Sequence, residues 1–536
     1  MSDIACWLED ALHRVYPGTA ASRQRALGLL AARGERVAFQ VCVRNEGSRE
    51  ADVSVSVEAP QPVEARVRLV GLVPIAHLNT ETEAEELEGV GHVPGLAPDP
   101  LLDAFEVRVG PLETRSFWVS LWAPPDAPPG QSRVRATVRG GEATAAERSV
   151  ELSVSPVVGG FAQDFPVTHW FYADALCDRY GVEPWEERFW AILRPYMRNL
   201  AEHGGTCQYV PLFTPPTDGV KRPTQLLRVA EDRPGHYRFD FADVRRWVRM
   251  ATESGARFLE WTHFYSQWGV RHAIRIYRDN ADDGSLLWPP ETGATDPLYR
   301  RFLAQFLPEF RAFLEAEGVL DRSFFHVSDE PHEEHIPAYR AARDQLRELA
   351  PWMRVMDALS NLRFGREGLT DIPVPSIATA LQYREAGIPA WVYYCCGPRG
   401  RFVNRLTDTP LAKVRMNGWL FHRFGALGFL HWGYNYWHRS QTRQLIDPFV
   451  EQAGGAWPGW AYGDTFVVYP GPDGPLDSIR WEVFADSLQD LGLLRTLGVG
   501  AEHPILAPLE SYETFPRSAE WVLSARSRLL EPRAGQ

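Results

Sequence analysis

Several things are scarce or missing in these 536 residues, and each absence removes a class of function. No apolar run reaches the roughly eighteen residues a membrane-crossing helix needs, so no span is expected. No G-x-G-x-x-G or Walker-type glycine loop opens a strand–helix unit, which argues against a nucleotide-binding doubly wound sheet. Positive charge is outnumbered: 56 Lys and Arg against 69 Asp and Glu leave a net charge of −13, a field that repels nucleic-acid backbones and anionic lipid. Neither nucleic acid nor membrane is therefore an expected partner. Only six cysteines occur, at 6, 42, 177, 207, 395 and 396, with no C-x-x-C pair and no disulfide framework, so free thiols in a reducing compartment are expected. The first ten residues carry early acids and no basic, apolar leader, and the chain as given reads as cytoplasmic. No internal repeat of fixed period appears.

Aromatic residues, by contrast, are plentiful: 19 Trp, 18 Tyr and 27 Phe, many interleaved with polar residues in the second half. Most such rings belong in a core, but sugar sites also use them, because the C–H face of a pyranose stacks on a ring while its hydroxyls need polar partners. From about residue 20 to 155 the pattern is short strands of period two between Pro and Gly, for example Arg36–Val43, Ala51–Val57 and Ser116–Trp122, which predicts a β-sandwich. After a turn-rich join the pattern changes to apolar strand runs alternating with helices. Strands are predicted at Val167–Tyr172, Thr206–Phe213, Arg257–Phe264, Ser323–Ser328, Met353–Leu359, Ser376–Leu381, Ala390–Cys396 and Gly428–Trp437. About eight strand–helix units over about 300 residues predict a TIM-like (β/α)8 barrel. The expected organisation is multidomain: an N-terminal β-sandwich at 1–158, a catalytic barrel at 159–500, and a C-terminal extension packed on the barrel at 501–536.

A barrel collects its chemistry at the C-terminal ends of its strands. The run Phe324–Pro331 ends its strand on Asp329 and Glu330, with Pro331 expected in the first turn of the next helix, fixing Glu330 at the corner. Glycosidic cleavage needs an acid for the leaving oxygen and a second group to stabilise the oxocarbenium-like carbon. Acids at a helix start also arise from capping alone, which suffices for Glu333 and Glu334. The late strand runs 391–396 and 429–437 contain no Asp or Glu, so the separate nucleophile of a common retaining barrel enzyme is missing; Glu260 and Asp357 are the other acids at strand ends. Adjacent carboxyls suit a division of labour in which Glu330 donates the proton and Asp329 holds a substrate group that attacks its own anomeric carbon, as the acetamide of a 2-acetamido sugar can. His326, Glu330, His332 and His335 lie close in sequence, yet His332 to His335 does not match H-E-x-x-H, and no catalytic metal or organic cofactor is expected.

The segments Pro166–Tyr172, Phe325–His332, Met356–Asn361, Tyr393–Gly397 and Gly428–Trp437, followed by Gly463-Asp464, Val468–Gly471 and Ser478–Arg480, closely resemble bacterial proteins that carry the domain of unknown function 4091. That domain is similar to the catalytic barrel of glycoside hydrolase family 123, whose characterised members are β-N-acetylgalactosaminidases with an N-terminal β-sandwich. The resemblance covers roughly residues 160 to 495. It implies substrate-assisted catalysis, with Glu330 as general acid/base and Asp329 orienting the acetamide as it closes to an oxazolinium. Substrate contacts are expected at Trp170, Tyr172, His263, Trp268, His326, Asn361, Tyr394, Trp432, Asn435 and Tyr436.

The function expected is a retaining exo-acting β-N-acetylhexosaminidase, favouring N-acetylgalactosamine, acting on an oligosaccharide or glycoconjugate; the oligomeric state stays open. Two rivals remain. One is a glycosidase of another specificity using Glu330 as acid and Glu260 or Asp357 as base or nucleophile, and the other a non-catalytic carbohydrate-binding protein.

Overall fold

The computed structural model describes residues 3–141, 143–215, 221–278 and 285–531. Ten strands come first: β1 (Ile4–Asp10), β2 (Ala26–Arg33), β3 (Glu35–Asn45), β4 (Ala51–Glu58), β5 (Glu64–Ile75), β6 (Gly95–Leu102), β7 (Glu106–Val109), β8 (Thr114–Ala123), β9 (Gly130–Gly140) and β10 (Ala143–Val158). They form two five-stranded sheets, ordered β1-β3-β8-β5-β6 and β2-β10-β9-β4-β7. Pairing is antiparallel except between β2 and β10. In β4 the alternation is plain, with Val53 and Val55 buried and Asp52 and Ser56 exposed. In β8 both faces are covered: Phe117 and Val119 enter the core between the two sheets, and Trp118 between them points into the core of the following region.

The second region begins with β11 (Val167–His169), β12 (Cys207–Val210), the hairpin β13 (Arg228–Arg233) and β14 (His236–Asp240), β15 (Phe258–Trp261) and β16 (Ser323–Phe324). It continues with β17 (Met356–Ala358), β18 (Ile372–Val374), β19 (Val392–Tyr393), β20 (Phe429–His431) and the hairpin β21 (Val468–Pro470) and β22 (Pro475–Asp477). Six of these make one curled parallel sheet, β16-β15-β12-β11-β20-β19, and β17 and β18 a separate parallel pair. Single parallel bridges, Phe325 to Val355 and Ser376 to Tyr393, join the pair to the two edges of the sheet. Helices such as Glu187–Glu202, Ala242–Glu253, Pro297–Ala316, Ile336–Leu349 and Asn417–Phe424 connect the strands. Among the described residues no helix is long and apolar enough to cross a membrane.

Two local expectations need correction. The strand predicted at Ser376–Leu381 lies earlier, at Ile372–Val374, and Ala380–Glu385 is helical. Pro373 is tolerated there because the ladder bonds come from Ile372 N–H to Val355 O (2.9 Å) and Leu359 N–H to Val374 O (3.1 Å), neither of which needs the proline nitrogen. Nor does Pro331 open a helix: the chain runs through a short 3-10 turn, Glu333–His335, before the helix starts at Ile336 with Pro337 in its first turn.

The N-terminal sheets are clamped to this region through the buried helix Ile479–Thr496. Its charged residues are neutralised on every side. Arg480 forks onto Asp99 of β6 at 2.8 and 3.0 Å, and Glu482 and Asp477 both pair with Arg68 of β5, at 2.7 and 2.6 Å. Asp486 and Asp490 pair with Arg415, each at 2.6 Å. Gly492 lets another chain segment cross this helix: a Cβ there would stand 1.9 Å from the carbonyl oxygen of Gly160.

Candidate active site

At the C-terminal end of the parallel strands lies a cavity of about 140 Å³, walled by Trp170, Gln267, Trp268, Asp329, Glu330, Ala358, Tyr393, Cys395, Cys396, Leu430, Trp432, Trp460 and Asp464. A larger and mostly apolar cavity, about 810 Å³, lies between the N-terminal sheets and the C-terminal helix Ala519–Leu530. Size does not decide between them: the smaller one combines acids with aromatic rings at strand ends, the arrangement a sugar site requires.

Glu330 is held in an unusual way. Its backbone takes φ = +43°, a left-handed conformation that side-chain-bearing residues seldom adopt, and its N–H donates to Ala358 O at 3.0 Å. The Tyr393 hydroxyl donates to Glu330 Oε1 at 2.6 Å. Burial, then the charge of Glu330, push the Tyr393 phenol well above its ordinary value, so it keeps its proton and remains a donor. Trp268, also left-handed at φ = +52°, donates its N–H to Asp329 O at 3.0 Å, and its ring is 45% exposed at the cavity mouth. Asp329 is 8% exposed. Strained backbone at two touching positions is stored by the surrounding bonds, as at sites where geometry matters more than local stability.

Beneath this corner lies a charge relay of a structural kind. His326 is fully buried between two carboxylates, Nε2 to Glu260 Oε1 at 2.7 Å and Nδ1 to Asp357 Oδ1 at 3.1 Å. Burial opposes its protonation, but the bonds to Asp357 and Glu260 dominate together and raise its pKa to about 10, so the ring is an imidazolium at neutral pH. Asp357 also accepts the N–H groups of Val327 (3.1 Å) and Ser328 (3.3 Å) and the hydroxyl of Tyr339. The residues leading into Asp329 and Glu330 are thereby fixed from below. On the other side, Glu260 accepts the Trp170 indole N–H at 2.8 Å and the Thr168 hydroxyl, which orients a ring of the cavity wall. His263 stacks on His326 with centroids 4.4 Å apart; burial drives its pKa well below the usual value, and neither ring nitrogen has a hydrogen-bond partner among the described residues. Donor atoms of His263, His326 and Asp357 lie within 4.8 Å of one another. Both His326 nitrogens are spent on carboxylates, so of this trio only His263 presents the neutral imidazole a metal takes.

The opposite wall belongs to the segment after β20. Trp432 packs against Trp460 and Tyr436 at 5.1 and 5.3 Å and donates its indole N–H to Asp464 Oδ2 at 3.1 Å. Burial raises the pKa of Asp464 well above its ordinary value, against the opposing indole N–H of Trp432 and the charge of Arg405. Gly433 makes this approach possible, since a Cβ there would lie 2.0 Å from Asp464 O.

Of the residues expected to contact substrate, Trp170, Trp268 and Trp432 line the cavity together with Asp329 and Glu330. Tyr172 and Tyr436 are buried behind Trp432, with ring centroids 5.0 Å apart. Asn435 holds the backbone of Tyr172 through both amide atoms, at 2.9 and 3.0 Å, and presents nothing to the cavity. His263 and His326 lie beneath the floor, and Asn361 caps the helix Leu362–Arg366 while its amide reaches Glu333. Tyr394 packs against Phe429 and His431 on the far side of β19, and its neighbour Tyr393 faces the cavity instead, as strand alternation requires. Reading parity along β19 would have selected Tyr393. Asp464, Trp460 and Gln267 sit on loops without periodicity; only the Gly463-Asp464 motif gave any sign of that segment.

The family model for the glycoside hydrolase 123 catalytic domain matches residues 170–497. A solved family 123 glycoside hydrolase from Clostridium perfringens, described for glycolipid glycan hydrolysis, is similar in fold over 98% of this chain and 97% of that one, with a TM-score of 0.75 at 14% identity. A Bacteroides ovatus GH5 xyloglucanase, solved with a heptasaccharide, matches at a TM-score of 0.32 and 10% identity, covering 87% of this chain and 99% of that one. No curated protein matches in sequence.

Proposed function

The chain belongs to glycoside hydrolase family 123 and is a glycoside hydrolase, and from that premise we propose that it removes a terminal β-linked 2-acetamido sugar from an oligosaccharide or glycoconjugate, with retention, through an oxazolinium formed by the substrate's own acetamide. Glu330 is the general acid and then the base, and Asp329 orients and stabilises the acetamide. The observation that carries this reading is the distribution of carboxyls. Glu260 and Asp357, the alternative nucleophiles, are buried beneath the floor and occupied by His326, while Asp329 and Glu330 stand side by side in the wall.

Asp464 is a further acid in the wall, but burial favours its neutral form, which suits donating a hydrogen bond to a sugar hydroxyl rather than attacking carbon. Trp170, Trp268 and Trp432 supply the faces on which a pyranose stacks. Tyr393 holds Glu330 and feeds it a hydrogen bond while the proton passes to the leaving oxygen. The same reading takes the parallel strands as one closed (β/α)8 barrel, supported by the two bridges that link β17 and β18 to the sheet edges. N-acetylgalactosamine is the favoured sugar by family resemblance, and the Clostridium perfringens enzyme's action on glycolipid glycans supports a glycoconjugate substrate.

A panel of aryl glycosides, assayed with and without a thiazoline that mimics the oxazoline, tests the proposal. Hydrolysis confined to 2-acetamido sugars, blocked by the thiazoline and reduced at least about a hundredfold in kcat by Glu330→Gln, is expected. Equal activity on plain hexosides would overturn substrate assistance, and wild-type activity of the Glu330→Gln variant would overturn the acid.

A further inference from the structure

Cys395 and Cys396 have no part in glycosidic cleavage, yet both line the cavity beside Glu330 and Asp464. The other four cysteines are buried. Successive side chains of a strand point to opposite faces, so adjacent sulfurs ordinarily diverge. Here the chain turns directly after β19, and the two Sγ atoms meet at 3.8 Å. The turn is pinned. Cys395 N–H donates to Gly397 O at 3.0 Å, Asn404 donates to the carbonyls of Cys395 and Pro398, each at 3.0 Å, and Arg399 Nε donates to Cys396 O at 2.6 Å.

This spacing favours one of the two chemistries open to a thiol pair. A disulfide needs sulfurs about 2.05 Å apart and Cα atoms usually 4.4–6.8 Å apart, whereas neighbouring Cα atoms are about 3.8 Å apart, so closing the bond would work against the pinned turn. Two thiolates on a tetrahedral ion, each about 2.3 Å from it, stand about 3.8 Å apart, which is the separation already present. The hydrogen bond the two thiols share, with help from the Arg399 guanidinium, lowers the Cys396 thiol against the opposing effect of burial and raises that of Cys395, which marks Cys396 as the sulfur that attacks first.

We propose that Cys395 and Cys396 form a chelating site for thiophilic ions in the wall of the cavity, taking soft, sulfur-seeking cations and trivalent arsenicals, and that occupancy stops hydrolysis by filling the space next to Glu330. The second half rests on the reading of this cavity as catalytic. With an organic oxoarsine the step is a condensation. Two S–As bonds form, the As=O bond breaks, both thiol protons leave with the oxygen as water, and no electrons are transferred.

Phenylarsine oxide on the full chain is the test. One phenylarsenic per chain is expected by intact mass, with hydrolysis falling to less than about a tenth as the cavity fills. The adduct should survive excess monothiol and be released, with activity restored, by dithiothreitol. Cys395→Ser and Cys396→Ser, each compared with its own untreated activity, should form no monothiol-resistant adduct. An adduct that persists in both variants, or none in the wild type, overturns the site, and an adduct that leaves hydrolysis intact overturns the gating. Should the untreated chain hydrolyse none of the glycosides, the glycosidase reading fails, while adduct mass still decides the chelation.

Discussion

Replacing His326 with Leu tests the buried Glu260–His326–Asp357 array. The substitution keeps the volume roughly constant and removes the cation held between the buried carboxylates of Glu260 and Asp357, at 2.7 and 3.1 Å. Folding lifts the imidazole from an ordinary value near 6.5 to about 10, so its contribution is fully present below about pH 6.5 and is lost as pH rises through 10. At about 1.4 kcal/mol per unit, the shift corresponds to about 5 kcal/mol below pH 6.5, about 4 kcal/mol at pH 7, and almost nothing above pH 10. This agrees with the 3–5 kcal/mol typical of breaking a buried ion pair on one side. The assay is guanidinium unfolding of wild type and variant at matched pH from 6 to 10.5, read by tryptophan fluorescence, so that titrations common to both cancel in the difference. His326→Gln, able to donate to one carboxylate but not both, should fall between them. Because Asp357 carries the N–H groups of Val327 and Ser328, kcat should fall with stability. A difference below about 1 kcal/mol at pH 7, the scale of an exposed ion pair, or one that stays flat up to pH 10.5, would refute the protonated array.

Tyr393→Phe removes the 2.6 Å hydrogen bond to Glu330, a charge-assisted contact worth about 1.5–3 kcal/mol, and should lower kcat on an aryl 2-acetamido glycoside by roughly ten- to a hundredfold; unchanged kcat and KM would exclude Tyr393 from holding the acid. Arg480→Leu removes the cation facing Asp99, leaving the buried carboxylate with the Tyr469 hydroxyl, and should cost about 3–5 kcal/mol in chemical unfolding, whereas Arg480→Leu with Asp99→Leu should cost less than that single change; equal or greater loss in the double variant would show that the pair does not couple the N-terminal sheets to the helix Ile479–Thr496.

Much of the candidate site was legible because its signals are local. The run ending in Asp329-Glu330 and the acid-free late strands could be read directly, since strand ends carry polar and aromatic residues only where something has to face a mouth. Less local features were misread. Pro331 looked like a helix start, but Glu330 turns left-handed and the helix waits until Ile336. Tyr394 and Tyr393 are equivalent by type, and only the side of β19 each occupies separates them. His326, Asn435 and Asn361 are polar residues near the right motifs whose hydrogen bonds are all internal, a distinction that rests on partners up to 263 positions away, as for Asn435 and Tyr172.

The sequence alone determined the strand and helix periods, the change of pattern after the N-terminal strands and the candidate acid pair, because these depend on neighbours within a few residues. Tertiary structure decided which carboxyls remain available for chemistry. Glu260 and Asp357 lie 97 positions apart in the chain and are drawn together around one imidazolium, while Asp464 arrives from a distant loop through the opening left by Gly433. Whether an acid is a catalyst, a brace or a neutral hydrogen-bond donor depends on burial and on the charge beside it, and both are set only when remote segments pack.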